Sequence, residues 1–192
     1  MSPTRTLLAV SLFLLLASLA SAQVLEIGPQ FGVNRLSNNV LSQSDGAKLA
    51  SGFRFGFRVG LNSHARLGHE AGYAYNRTNL EYAGTKYGMA THQGFYDLLL
   101  YPIEEGSKVR PFIAGGVQFS NFVPPGSSAT SGGGDTKFGV NYGAGVKVRA
   151  TEKFLIRLGV QQFLSPKPDW FFEAPKGWLR INEISLGVSY TL

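Results

Sequence analysis

The stretch SGFRFGFRVGLN, residues 51–62, alternates without a fault: Phe53, Phe55, Phe57, Val59 and Leu61 share one side of an extended chain, and Arg54, Gly56, Arg58 and Gly60 the other. Successive side chains of a strand point to opposite faces, so a period of two builds one oily face and one wet face. A helix would scatter the arginines among the phenylalanines. No charge falls on the aromatic face.

The same pattern recurs on both sides of this stretch. Upstream, Leu25, Ile27, Phe31 and Val33 alternate with Glu26, Gln30 and Asn34. Downstream, Arg66–Arg77 sets Leu67, Ala71, Tyr73 and Tyr75 against Gly68, Glu70, Gly72 and Asn76, with His69 interrupting the apolar side. Met89–Tyr101 places Tyr96, Leu98 and Leu100 opposite Phe95, Asp97 and Leu99, and Pro111–Asn121 places Ile113, Val117 and Phe119 opposite Ala114, Gly116, Gln118 and Ser120. In Lys137–Arg149 the apolar residues run from Phe138 to Val148 against Gly139, Asn141, Gly143, Gly145 and Lys147. Phe154, Ile156, Leu158 and Val160 then alternate with Arg157, Gly159 and Gln161, and Ile184, Leu186, Val188, Tyr190 and Leu192 with Glu183, Ser185, Gly187, Ser189 and Thr191. The pattern predicts eight strands and no helix.

The connections alternate in length. Leu36–Ala50, Thr78–Gly88, Phe122–Thr136 and Ser165–Trp178 read as long loops, whereas the joints near Ser63, Glu104 and Thr151 are short. Outer-membrane barrels have short periplasmic turns and long external loops, so both termini are expected on the periplasmic side.

Ahead of the strands, Arg5 is followed by the apolar run Leu7–Leu16 and by Ala20-Ser21-Ala22, the form of a secretory signal with an A-x-A cleavage site. The reading is a signal peptide over residues 1–22 and one domain over residues 23–192. The interrupted run is shorter than the roughly 20 apolar residues of a membrane helix. Without cysteine there is no disulfide, no thiolate metal site and no lipidation at the cleavage position. The net charge of +6 comes from scattered basic residues without a basic helix face, so nucleic acid is not an expected partner.

An exported chain of strands with oily outer faces fits an all-β, eight-stranded antiparallel up-and-down transmembrane β-barrel. Closure pairs every backbone N–H and C=O, which is what lets strands cross lipid. The face opposite the apolar one holds Glu26, Glu70, Asp97 and Glu183 together with Arg54, Arg58, Lys147 and Arg157, four acids against four bases, and many of the 24 glycines. A soluble sheet would turn that face to water, but balanced charge among small residues suits a shared, crowded lumen. Side chains can fill the interior of an eight-stranded barrel, so a plugged lumen rather than a general pore is expected. Tyr73, Tyr75, Tyr101, Trp178 and Tyr190 are candidates for interfacial girdles, with ordinary strand propensity as the alternative.

The ending from Ile184 to Leu192 resembles the C-terminal signal by which outer-membrane barrels are inserted, with Leu186, Val188, Tyr190 and Leu192 in its alternate positions and leucine where phenylalanine is usual. Together with FGVNYGAGVK (138–147), RPFIAGG (110–116) and LGHEAGY (67–73), it resembles the outer membrane protein β-barrel domain of the OmpA and OmpX type. The resemblance covers residues 23–192. It implies an eight-stranded outer-membrane protein, engaged by the insertion machinery, with a structural, adhesive or defensive role and no peptidoglycan-binding domain behind it.

Some barrels that resemble this one carry a His/Ser/acid set for acyl transfer on membrane lipid. That chemistry needs a hydroxyl, a base and an orienting carboxylate within hydrogen-bond reach. Only His64, His69 and His92 could be the base. His64 falls in a short turn, His69 near it, and His92 toward the outer side beside Thr91, with no serine two residues from any of them. Their spacing is no metal motif. Ser127–Gly134 lacks the lysine of a phosphate loop and reads as an external loop. The aromatic segment Ser165–Trp178, with Trp170, Phe171, Phe172 and Trp178, either meets a partner or packs on the rim.

The expectation is therefore a monomeric structural or surface-interaction barrel in contact with outer-membrane lipid and lipopolysaccharide, without cofactor, metal or catalytic residues. A lipid-modifying enzyme built on His92 and a soluble periplasmic ligand-binding barrel are the alternatives.

Overall fold

The computed structural model describes residues 24–43, 46–127, 133–170 and 177–192. The signal segment, Phe171 and Phe172 and part of the Ser127–Gly134 loop lie outside these residues. Ten strands form one sheet, β1 (Val24–Ser37), β2 (Val40–Ser42), β3 (Ala47–Leu49), β4 (Gly52–His64), β5 (Leu67–Tyr82), β6 (Thr85–Leu100), β7 (Val109–Val123), β8 (Asp135–Arg149), β9 (Phe154–Pro166) and β10 (Trp178–Thr191). Eight of them close a barrel in the order β1-β4-β5-β6-β7-β8-β9-β10, every neighbour antiparallel. The seam is the β1–β10 pair, in register from Glu26 opposite Thr191 to Ser37 opposite Arg180. Closure leaves no barrel edge unpaired.

Alternation explains the membrane-level wall. Phe31, Phe53, Phe55, Ile113, Val117, Phe138, Val160 and Ile184 are exposed outward, Phe138 by 73%, and the charged residues point in. Glycine makes room for the larger interior rings. A Cβ on Gly72 would come within 2.6 Å of Phe95 Cε1, and one on Gly145 within 2.6 Å of Phe112 Cζ.

Above that level the pattern inverts. On β5 and β6 the inward residues become Leu80 and Met89, on β7 Phe122, on β9 Phe163 and on β10 Leu179 and Ile181, while Arg77, Asn121, Thr136 and Arg180 face outward. Outer side chains there meet water, so the apolar surface that lipid no longer needs is turned into a core. The β2–β3 hairpin folds over the opening and completes it with Leu41, Ala47 and Leu49, none of them exposed. Its β3 pairs with the upper end of β5, Lys48 opposite Glu81 and Leu49 opposite Leu80.

Two expected loops are corrected by this arrangement. Thr78–Gly88 is not a loop: β5 and β6 stay paired from Leu67 opposite Leu100 up to Tyr82 opposite Thr85. Its punctuation-like composition hid the pairing, because a ladder exposed to water needs no apolar face. The turn is the two residues Ala83 (φ 47°) and Gly84 (φ 78°), both left-handed as a type I′ hairpin requires. Leu36–Ala50 likewise contains the β2–β3 hairpin. Ala83 pays for its left-handed backbone where asparagine would be at ease, so Ala83→Asn is expected to raise the unfolding free energy by about 0.5–1 kcal/mol in a denaturant titration.

Candidate functional site

The interior has three tiers. At the short-turn end, Leu99, Tyr101, Phe112 and Ala114 form a small apolar cluster. At the long-loop end lies the larger apolar cap, against which Leu36 and Trp170 pack. Between them is a polar layer to which every barrel strand but β7 contributes a charged side chain, and β7 adds buried Gln118.

That layer holds Glu26, Arg54, Arg58, Glu70, Asp97, Lys147, Arg157 and Glu183, none more than 5% exposed. Alternation puts them there, because each lies on the same strand face as its glycine and amide neighbours. Arg58 of β4 is the hub. Its guanidinium pairs with Glu70 of β5, donates to Gln30 of β1, and reaches Glu183 of β10 at 3.5 Å and Gln161 of β9 at 3.3 Å. Glu70 also accepts from Arg157 at 2.9 Å. Arg54 pairs with Glu183 and donates to Gln93 at 2.7 Å. Asp97 accepts from Gln161 Nε2 at 2.6 Å. Nearer the short turns, Lys147 and Glu26 form a separate pair at 2.5 Å, with Asn62 donating to the second Glu26 oxygen at 3.0 Å.

Aromatic rings cover the cations. Arg58 lies 4.5 Å from the Phe95 centroid, Arg54 4.9 Å from that of Phe163 and Arg157 4.6 Å from that of Phe112. A desolvated cation gains from the negative face of a ring as well as from its carboxylate. The layer thus links strands far apart around the wall by charge-assisted bonds, and its side chains occupy the lumen instead of lining an open passage.

Several interior residues were not singled out by sequence reasoning. Arg110 is buried, 3.5 Å from the Tyr101 centroid, and donates to the Ala65 carbonyl at 2.7 Å. A strand counted from Pro111 leaves it out, whereas β7 begins at Val109. Phe112 and Phe163 lie beyond the residues that alternation names on their strands; glycine on the neighbouring strand, Gly145 for Phe112, is the signal that finds such a ring. Tyr101 corrects the girdle assignment. It is 2% exposed inside the lumen, one residue past outward-facing Leu100, as strand parity demands. Of the other girdle candidates, Tyr73 and Tyr75 are half-buried on the outer wall, Tyr190 packs on Phe154 with centroids 5.5 Å apart, and Trp178 is 50% exposed.

His69 and His92 lie on the outer wall. His69 Nδ1 is 2.6 Å from the Tyr96 hydroxyl, and His92 Nδ1 hydrogen-bonds the Tyr73 hydroxyl. Thr91, next to His92, is buried on the inner face. The side chain of His64 lies outside the described residues. The aromatic loop is divided: Trp170 packs edge-on to Phe122 at 6.4 Å, whereas Trp178 is open. Of the alternate C-terminal residues, Leu186, Val188 and Tyr190 lie on the outer wall of β10, and exposed Leu192 follows its last residue, its N–H closing the seam on the Leu25 carbonyl at 2.9 Å.

The family model of the outer membrane protein beta-barrel domain matches residues 7–191. Among solved structures, the chain is similar to neisserial surface protein A, with a TM-score of 0.63 and 14% identity over 88% of this chain and 97% of that one. OprG of Pseudomonas aeruginosa is similar at a TM-score of 0.60 and 13% identity, over 88% and 95% of the two chains. Outer membrane protein W of E. coli is similar at 0.57 and 14%, over 90% and 100%. At these identities the likeness is one of fold. No curated protein matches the sequence.

Proposed function

The chain belongs to the outer membrane protein β-barrel domain family, and from that premise we propose a plugged structural or surface-interaction barrel of the OmpA and OmpX kind, neither a general porin nor an enzyme. The observation that carries this reading is the interior itself: a crosslinked charge layer closed above by an apolar cap and below by Tyr101 and Phe112. Ions crossing such a lumen would have to displace paired, desolvated charges, which is costly.

Activity then resides on the outside. The long-loop end, with exposed Trp178 and the emergent β5–β6 hairpin, is the surface offered to partners, and the belt meets outer-membrane lipid and lipopolysaccharide. The outward row Leu186, Val188, Tyr190 and Leu192 is the part that the insertion machinery would read. The signal segment, a Gram-negative-type envelope and a monomeric state complete the proposal. Leaving catalysis out is supported at His92, whose Nδ1 is taken by Tyr73 and whose neighbour Thr91 faces the other side of the wall.

A planar-bilayer recording tests the reading. The purified barrel is expected to give no large, stable open channels, and their appearance would overturn the plugged lumen.

A further inference from the structure

The outer wall of β5, β6 and β7 is neither smooth nor uniformly apolar. At its upper end lies a polar recess of about 410 Å³ lined by Arg77, Gly88, His92 and Ser127. Directly below it is an apolar groove of about 500 Å³ bounded by Tyr73, Tyr96, Phe119 and Phe138, with Gly94 among its lining residues. Register stacks the two: His92 pairs with Tyr75 and Asn121, and two residues lower Gly94 pairs with Tyr73 and Phe119. On the far side of Tyr73 runs a second apolar groove of about 410 Å³ beside Phe55 and Phe57.

The recess is cationic. The Arg77 guanidinium lies over Gly88, where a Cβ would come within 2.6 Å of Nη2. Arg77 has no carboxylate partner among the described residues, and the nearest acid on its strand, Glu81, is already engaged by Lys48 and Lys86. Tyr73 fixes the His92 ring through Nδ1. Anion-seeking groups at the edge of the belt, with two apolar grooves descending from them, complement a molecule with a phosphate head and several acyl chains.

We propose that this wall binds one molecule of lipid A, a phosphate held by Arg77 with His92 and Ser127, and acyl chains laid in the grooves on either side of Tyr73. The grooves have the volume of small-molecule sites and the apolar lining that a chain requires. Arginine suits the head because its planar donors match phosphate oxygens two at a time. The proposal rests on the reading above that the long-loop end faces outward, where the phosphorylated glycolipid leaflet lies.

Native mass spectrometry of the barrel released from detergent micelles tests it, with lipid A, dephosphorylated lipid A and phosphatidylglycerol offered in turn. One retained lipid A is expected per barrel. Retention should fall about tenfold with dephosphorylated lipid A or in Arg77→Gln, the magnitude of a lost charge-assisted contact. Gly94→Leu, whose side chain must push aside the Phe119 ring that bounds the lower groove, should lower it similarly, while Arg180→Gln on β10, a strand that lines none of the three cavities, should leave it unchanged. Equal retention by wild type and Arg77→Gln, or of phosphatidylglycerol and lipid A, would overturn the site. Arg77 is exposed, so its replacement does not put folding at risk. A heat-dependent shift in gel mobility, measured on every variant, distinguishes failure of the site from failure of the barrel reading.

Discussion

Replacing Arg58 by methionine is expected to lower the unfolding free energy by about 3–5 kcal/mol, the cost of breaking a buried ion-pair network at the cation that joins four of its strands. Arg58 joins Glu70, Glu183, Gln30 and Gln161, side chains from four different strands. Methionine fills much of the space but carries no donor. Glu70 then keeps Arg157 as a partner and Glu183 keeps Arg54, which bounds the loss. The measurement is urea unfolding in lipid vesicles followed by tryptophan fluorescence. Arg66→Met, which breaks an ion pair with Glu104 that is exposed on both sides, costs far less. A loss from Arg58→Met no larger than that from Arg66→Met would mean that the layer is not organised around Arg58.

Phe163→Ala is expected to cost about 3–5 kcal/mol in the same titration. Phe163 is wholly buried where the charge layer meets the apolar cap, edge-on to Phe95 at 6.0 Å and beneath the Arg54 guanidinium. Truncation opens a cavity in the cap and uncovers a desolvated cation at once. Phe138→Ala removes a ring that is 73% exposed on the outer wall, and should cost far less. Comparable losses at the two positions would place the packing energy in the wall instead of the plug.

The eight interior charges were legible in the sequence because alternation in a strand is strict: Arg54 and Arg58 could not share a face with Phe53, Phe55 and Phe57. What alternation did not reveal was where the solvent changes. Around Thr78–Gly88 the chain leaves lipid and loses the outward apolar row, yet the hydrogen-bonded ladder continues to the Ala83-Gly84 turn. Hydropathy marks the belt, not the strand. The cap was obscure for the same reason, since Leu80, Met89 and Phe122 occupy inward positions that at membrane depth belong to polar residues. Tyr101 shows the reverse error, in which residue type was allowed to outweigh parity.

Fractionation combined with heat-modifiable gel mobility is the decisive measurement for a closed barrel held in the outer membrane. Recovery in the outer-membrane fraction is expected, with a mobility in detergent that changes only on boiling, when the closed sheet finally opens. Recovery in the soluble periplasmic fraction, with the same mobility before and after boiling, would contradict it.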